Sequence, residues 1–471
     1  MRTKSYLLFT ALCMLLVSGC KKFIDVNNDP NNPLTVQEAL ILSPVELNLA
    51  SSLSGGALSP GPGMGAMLVN HYMQNIALNQ PVPNHGTYWI FNVDLDDTWR
   101  NIYVTSLNNL KVMNDQATAN GNFNYAGIAK ILSAFCLGIA TDYWGDIPYT
   151  EAFNGSNNLQ PAYDSQEKIY KTIQQLLDDG IADINKNAVI KPGKDDYFYK
   201  GNMDKWKRLA YTLKARYYIH LTKAPGYTAL AQAELVLTAL QNGMLDNSDD
   251  MKMVYPGGAG EESPWYVNTL PVSTLVLSSA LVDTLVMRND PRLPYLVAKA
   301  KQTGLYNGRP IGSINISGSL NVYSLPGEAI GAAGSPIYVF NYSEALFLKA
   351  EATLIKSGFA AAGPVYQEAI RSHMTKLGVA DAAINSYLSS RGTLTADNAL
   401  QRIMEEKKIA NFLSIENFND WRRTGFPRLT KVPNALSDIP RRMLYPQVEL
   451  TSNPQGVQSA RITDRVWWDA P

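Results

Sequence analysis

Four histidines are the first residues to test for metal or acid–base chemistry. His71, His85, His220 and His373 lie far apart, without an HExxH pair or a neighbouring cysteine ligand, so no histidine metal centre is expected. The stretch DLDDTW (94–99) crowds acids together but lacks the glycine and distal glutamate of a calcium loop. Asp96 or Asp97 is better placed to accept free amides at the start of a helix through Trp99; bound calcium stays open as the lesser alternative. Glycoside hydrolysis needs two carboxylates ~5 to ~10 Å apart across a cleft, and no such pair is marked among the 41 acids. A GxSxG elbow and a phosphate-cradling glycine loop are both missing. No catalytic constellation is marked and no cofactor is expected, but 41 acids leave a surface hydrolase open as a reading.

Sugar binding asks for different groups. A pyranose presents a C–H face that a flat ring covers and hydroxyls that amides, carboxylates or guanidinium groups bind. Aromatics in polar loops are the candidates. NQPVPNHGTYWIFN (79–92) offers Tyr88 and Trp89 beside Asn84 and His85; GEESPWYVN (260–268) offers Trp265 and Tyr266 beside Glu262 and Asn268. Either ring set could instead pack the scaffold from its loop. If they bind, Trp89 and Trp265 are expected on one exposed face, flanking a shallow groove. Trp99, Trp144, Trp206 and Trp421 fit core or turn roles.

The elements that must position these loops are helical. Trp99, Ile102, Tyr103, Leu107 and Leu110 repeat at three and four, as do Ile128, Ile131, Leu132, Phe135 and Ile139, then Ile169, Ile173, Leu176 and Leu177. Trp206, Leu209, Ala210, Leu213 and Tyr217 form the clearest stripe. Leu230, Ala233, Leu237 and Leu240 continue it, then Leu346, Ala350 and Leu354, then Ile403, Ile409 and Phe412. Neighbouring stripes pair as helix–turn–helix units of tetratricopeptide type. The fold class expected is mainly α, a tetratricopeptide-like helical-hairpin scaffold with a large irregular, loop-rich insertion over about 243–340, where Gly and Pro clusters replace the periodicity. With no linker-like stretch, residues 36–471 read as a single domain.

The amino terminus carries the last chemically distinctive residue. Arg2 and Lys4 precede an apolar run from Leu7 to Val17, shorter than the ~20 residues that span a bilayer. Val17-Ser18-Gly19 then leads into Cys20 within LLVSGCKKF, which looks like a lipobox. Residues 1–19 would be a lipoprotein signal peptide and Cys20 an acylated (palmitate-bearing) terminus held firmly by several chains. DVNNDPNNPLT (25–35) is a run of turn formers, so 20–35 reads as a lipidated tether. Cleavage leaves 39 basic and 41 acidic side chains, and with no basic stripe nucleic acid is not a partner. Cys136, in ILSAFCLGIA, then has no disulfide partner and reads as a small buried residue.

Several stretches together are similar to one family. The lipobox running into FIDVNNDPNNP, AKILSAFCLGIATDYWGDIPYTEAF, KWKRLAYTLKARYYIHL, NYSEALFLKAEA, IMEEKKIANFLSIENFNDWRRTGFPRL and IPRRMLYPQVELTSNPQGV occur in the order found in SusD/RagB-type nutrient-binding outer-membrane lipoproteins, SusD-like subgroup. The resemblance spans residues 20 to about 457. It implies a non-catalytic receptor, lipid-anchored on the outer face of the outer membrane, that caps a SusC-like TonB-dependent transporter and delivers an oligosaccharide or, alternatively, a peptide. Acids often follow the lipidated cysteine in exported members, whereas here Lys21-Lys22-Phe23-Ile24-Asp25 supplies one, so outward exposure rests on the resemblance. Arg422, Arg423, Arg441 and Arg442 are expected to be structural, with planar forks suited to buried carboxylates or carbonyls. The anchor is testable: Cys20→Ala should release the protein from membranes or leave its precursor uncleaved, and an unmodified Cys20 in the mass spectrum of native protein would refute it.

Overall fold

A computed structural model describes residues 36–56, 63–270, 274–455 and 459–471. The expected leader (1–19), Cys20 and the tether (20–35) lie outside the described residues. Helices α1 (Glu38–Asn48), α2 (Met64–Tyr72), α3 (Asn109–Asn120), α4 (Phe123–Trp144), α5 (Gln166–Ile184), α6 (Met203–His220) and α7 (Ala229–Ala239) open the chain. From α3 onward each packs on its successor, as tetratricopeptide-like stacking requires, and α7 packs on α8 (Tyr342–Lys376) across the insertion. Helix α8 breaks at Gly358, whose φ of 82° is left-handed; it also packs on α9 (Asp381–Arg391) and α10 (Ala399–Ala410), and Arg423 of α11 (Glu416–Thr424) grips Glu351 in its first half.

Local chemistry sets the helix starts. Ser165, Asn202, Thr228 and Asn341 accept the backbone amides of Lys168, Lys205, Ala231 and Glu344, capping α5, α6, α7 and α8. Helix α4 is apolar on every face and is covered by α3 and α5, although by length and composition it could cross a membrane. Glycines let it approach its neighbours. A Cβ on Gly127 would sit 2.8 Å from the Gly180 carbonyl of α5, and one on Gly138 would strike the Tyr217 ring of α6. The stripe residues Trp206, Leu209, Ala210, Leu213 and Tyr217 are all buried, as are Trp99, Trp144 and Trp421. Cys136 is a free thiol in α4, and burial pushes its pKa up to about 12.

Two expectations need correction. Leu230 opens the α7 stripe in sequence but faces solvent, because the buried face of α7 runs instead through Gln232, Ala233, Val236 and Ala239. Asp96 does not cap its own helix; its carboxylate accepts the amide of Val448 3.0 Å away, while Asp97 pairs with Arg100. The insertion is also more ordered than its composition suggests. After the short antiparallel pair β2 (Ile147–Pro148) and β3 (Tyr163–Asp164), the insertion holds a helix at Ser279–Met287 and strands β4 (Met251–Met253), β5 (Leu275–Leu277) and β6 (Ile337–Phe340). Strand β5 pairs antiparallel with β1 (Ile76–Leu78), and β4 with β6, so the insertion is stitched to the amino-terminal helices at one end and enters α8 at the other.

Charged groups occupy the middle of the stack. Arg216 of α6 grips Glu344 of α8 through two bonds of 2.7 and 2.8 Å and lies 3.8 Å from Glu416 of α11. His220 joins Glu416 at 2.7 Å to the Tyr170 hydroxyl at 2.8 Å, and Tyr170 donates onward to Asp142 of α4. Lys407 and Arg423 converge on Asp420, and Arg423 also grips Glu351. All of these groups are buried. Burial alone would raise the Glu416 carboxyl, yet the opposed charges of His220, Arg216 and Lys407 hold it well below the ordinary range. Removing one partner should therefore be costly: Arg216→Met, which strands two buried carboxylates, should destabilise the protein by about 3–5 kcal/mol in urea unfolding. An unchanged midpoint would show that these charged groups do not hold the stack together.

Candidate functional site

Three loops meet beyond the end of strand β1. The first runs from Asn79 to Leu95, the second covers 305–324 and the third 430–438. Asn79 and Ser317 exchange hydrogen bonds, the Asn79 amide donating to the Ser317 carbonyl and the Ser317 amide to Asn79 Oδ1, at 2.8 and 3.0 Å. The Leu436 amide donates to the Thr87 carbonyl, and the Asn434 side chain to the Gly312 carbonyl. Gly312 has φ of 72°, and a Cβ there would lie 2.0 Å from the Pro433 carbonyl, so the second and third loops can touch only at a glycine. Arg309 fastens the group from below. Its buried guanidinium donates to the carbonyls of Leu78, Asn315 and Ser313 and to the Tyr323 hydroxyl. Loops so laced present a fixed surface rather than a mobile one.

That surface carries rings. Trp89 is 45% exposed and Phe91 50%, with ring centres 5.3 Å apart and planes at 68°. Their backbone is held: the Trp89 amide donates to the Asn84 carbonyl and the Phe91 amide to Asp94 Oδ2. Val93, Ile314, Ile316 and Leu436 are exposed on the same three loops. Polar groups stand beside the rings. His85 lies 3.6 Å from the Asp94 carboxylate. Burial pushes the Asp94 carboxyl up, but the bonds from His85 and the Phe91 amide outweigh it and bring its pKa below the ordinary value. An exposed aromatic pair with a carboxylate and imidazole beside it can cover an apolar ligand face and bind the polar groups around it.

The other sequence candidates fall elsewhere. Tyr88 is buried at a left-handed φ of 66°, edge-on to Tyr72, and burial pushes its phenol up to about 12. Asn84 is spent on the turn, where its side chain accepts the Gly86 amide and donates to the Pro81 carbonyl. The expectation that Trp265 shares an exposed face with Trp89 is corrected: Trp265 is 2% exposed. Pro264 starts a single helical turn, Pro264–Val267, that carries the indole inward to a cavity of about 60 Å³ lined also by Ser54, Tyr338 and Lys376. Asn268 is buried with its amide on the Gly56 carbonyl, Tyr266 is half-buried, and Glu262 accepts the Gly260 amide. Phe91, Ile314, Ile316 and Leu436 were missed. In Trp89-Ile90-Phe91-Asn92-Val93 exposure alternates, so a period-two reading of that loop would have found Phe91 and Val93. The arginines behave as expected: Arg441 grips Asp469, Arg422 bonds Asn419 and the Arg441 carbonyl, and Arg442 reaches the Trp144 carbonyl.

Comparison with known proteins agrees with this architecture. A SusD-like family model, described as starch-binding and associating with the outer membrane, matches residues 30–446. Among curated proteins no sequence matches the chain. Solved structures similar to it include a SusD/RagB family protein from Bacteroides thetaiotaomicron (23% identity, TM-score 0.79, covering 92% of this chain and 99% of that one). A chitin-binding SusD homologue from Flavobacterium johnsoniae is alike at 23% identity and TM-score 0.79, over 92% of this chain and 98% of its own. A chitin-binding protein aligns at 24% identity and TM-score 0.78, over 92% and 100%. The two tryptophans once grouped together should now separate in a melting experiment. Trp265→Ala should cost about 3–5 kcal/mol, as for a buried indole, and Trp89→Ala within about 0.5 kcal/mol. Equal losses would place both rings in the same environment and contradict the structure.

Proposed function

The chain belongs to the SusD-like family of outer-membrane-associated proteins, and from that premise we propose that it is a non-catalytic cell-surface receptor. It binds an oligosaccharide on the Trp89–Phe91 surface and passes it to a partner SusC-like TonB-dependent transporter. It is held at the outer membrane through acylated Cys20. The observation that carries the reading is the solvent-exposed ring pair on loops clamped by Arg309 and Gly312. Large rings left half in water on a fixed frame are what a sugar face can use, and fixing them beforehand lowers the ordering cost of binding. The chitin-binding names of two similar structures support a glycan as ligand. Tyr88 and Asn84 serve here from beneath, one as the buried prop of the loop and the other as its turn, while Trp265, Tyr266 and Asn268 hold the insertion in place.

The open geometry also favours a carrier over a catalyst. Cargo that is handed on gains from contacts that are modest in strength and broken quickly. The test is a panel of starch- and chitin-derived oligosaccharides alongside a peptide library. Saturable glycan binding without change of chain length is expected, with Trp89→Ala weakening it about tenfold, equivalent to ~1–2 kcal/mol. Release of shorter sugars by pure protein would overturn the non-catalytic reading, and peptide capture with no glycan bound would overturn the ligand class.

A further inference from the structure

A second concave site lies where α3, α4 and α5 meet the loop that follows β2 (Ile147–Pro148), and it shares no residue with the Trp89 surface. Its volume is about 390 Å³, within the range of sites that enclose small molecules. Tyr149 and Phe153 form one wall, edge-on with centres 6.3 Å apart. Phe153 stacks in turn on Tyr103, and Tyr103 on Trp99 at 4.4 Å, so the wall is the outer end of a column of rings rooted in the core. Leu107, Leu110 and Leu176 supply the apolar floor.

Two features mark the site as more than a packing gap. Phe153 has φ of 64°, a left-handed conformation that a bulky residue adopts only when its surroundings hold it there, and such positions concentrate at binding sites. Half-buried Asn114 also lines the groove; its amide nitrogen donates to Asp115 Oδ1 at 3.3 Å, while its Oδ1, shielded from solvent, has no hydrogen-bond partner among the described residues. An amide oxygen removed from water without a donor is costly unless something donates to it. Charge then selects the guest. The lysines in the lining are already neutralised, Lys111 by Asp115 at 2.6 Å and Lys130 by Asp183, so nothing on the wall calls for an anion or a cation.

We infer that this groove is a second ligand site, taking a neutral mono- or disaccharide with one ring face against Phe153 and Tyr149. When the half-buried Asn114 side chain turns toward the guest, its Oδ1 accepts a hydroxyl or amide N–H of the sugar. Only the ligand class rests on the receptor reading above; the site does not. A small separate site would let the protein retain short fragments that the main surface releases.

The experiment uses the mature protein carrying Trp89→Ala and Phe91→Ala together, with maltose and N,N′-diacetylchitobiose as probes in saturation-transfer NMR and calorimetry. Residual binding of about millimolar affinity is expected, and adding Ala152→Trp, which fills the groove from its exposed loop, should weaken it about tenfold. Asn114→Leu provides a second route to the same loss should the tryptophan prevent folding, which circular dichroism reports. The inference is overturned if the double variant binds neither sugar, or if both groove substitutions leave residual binding unchanged. Binding lost through the groove substitutions alone and untouched by the platform variant would uphold this site and refute the Trp89 surface.

Discussion

The guanidinium of Arg216 is the point on which the stack depends. It stands where α6, α8 and α11 cross, and its two bonds to Glu344 join helices separated by the whole insertion. A buried ion pair adds little net stability compared with a packed apolar pair, but it tolerates almost no misregistration, because any shift strands a charge. Extended through His220, Glu416, Tyr170 and Asp142, the same logic fixes α4 and α5 against the carboxy-terminal helices. The helical stripes bring the layers together; the charges decide which rotation of each layer is accepted.

That rigidity is inherited by the loops. Strand β1 leaves α2, pairs with β5 of the insertion, and delivers the chain directly into the Asn79–Leu95 loop. Arg309 then directs its donors to the carbonyl that ends β1 and to carbonyls of its own loop rather than to a carboxylate, which makes it a hub for backbone and not an ion-pair partner. Exposed rings on a soft loop would collapse on their neighbours. On this frame Trp89 and Phe91 keep about half their surface in water.

Much of the scaffold could be read from residue order because helix periodicity is local. Trp206 to Tyr217 declare their shared face within a few turns, and their burial follows. The family resemblance rested on similarly compact stretches, and the match over residues 30–446 agrees with it. The proposed ligand surface was only half legible. Trp89 and Trp265 occupy loops of similar composition, and their opposite fates depend on Pro264 starting a helical turn and on Asn268 reaching Gly56, more than two hundred residues away in sequence. No local pattern encodes that. Ile314, Ile316 and Leu436 were invisible for the same reason, since only the fold brings their loops beside Asn79–Leu95.

The carboxy-terminal segment bears on how the chain comes to be folded at all. The end of α4 is sealed by residues some three hundred positions later: the Tyr445 hydroxyl and Arg442 donate to the Trp144 carbonyl, the Met443 amide to that of Tyr143, and the Trp468 indole to Asp142. Closing so long a loop is slow, and no earlier part of the chain can substitute for it. A ribosome must finish its work before this core can shut. Such a late-arriving latch leaves the end of α4 open until the last residues are available, so this part of the core is the last to be completed.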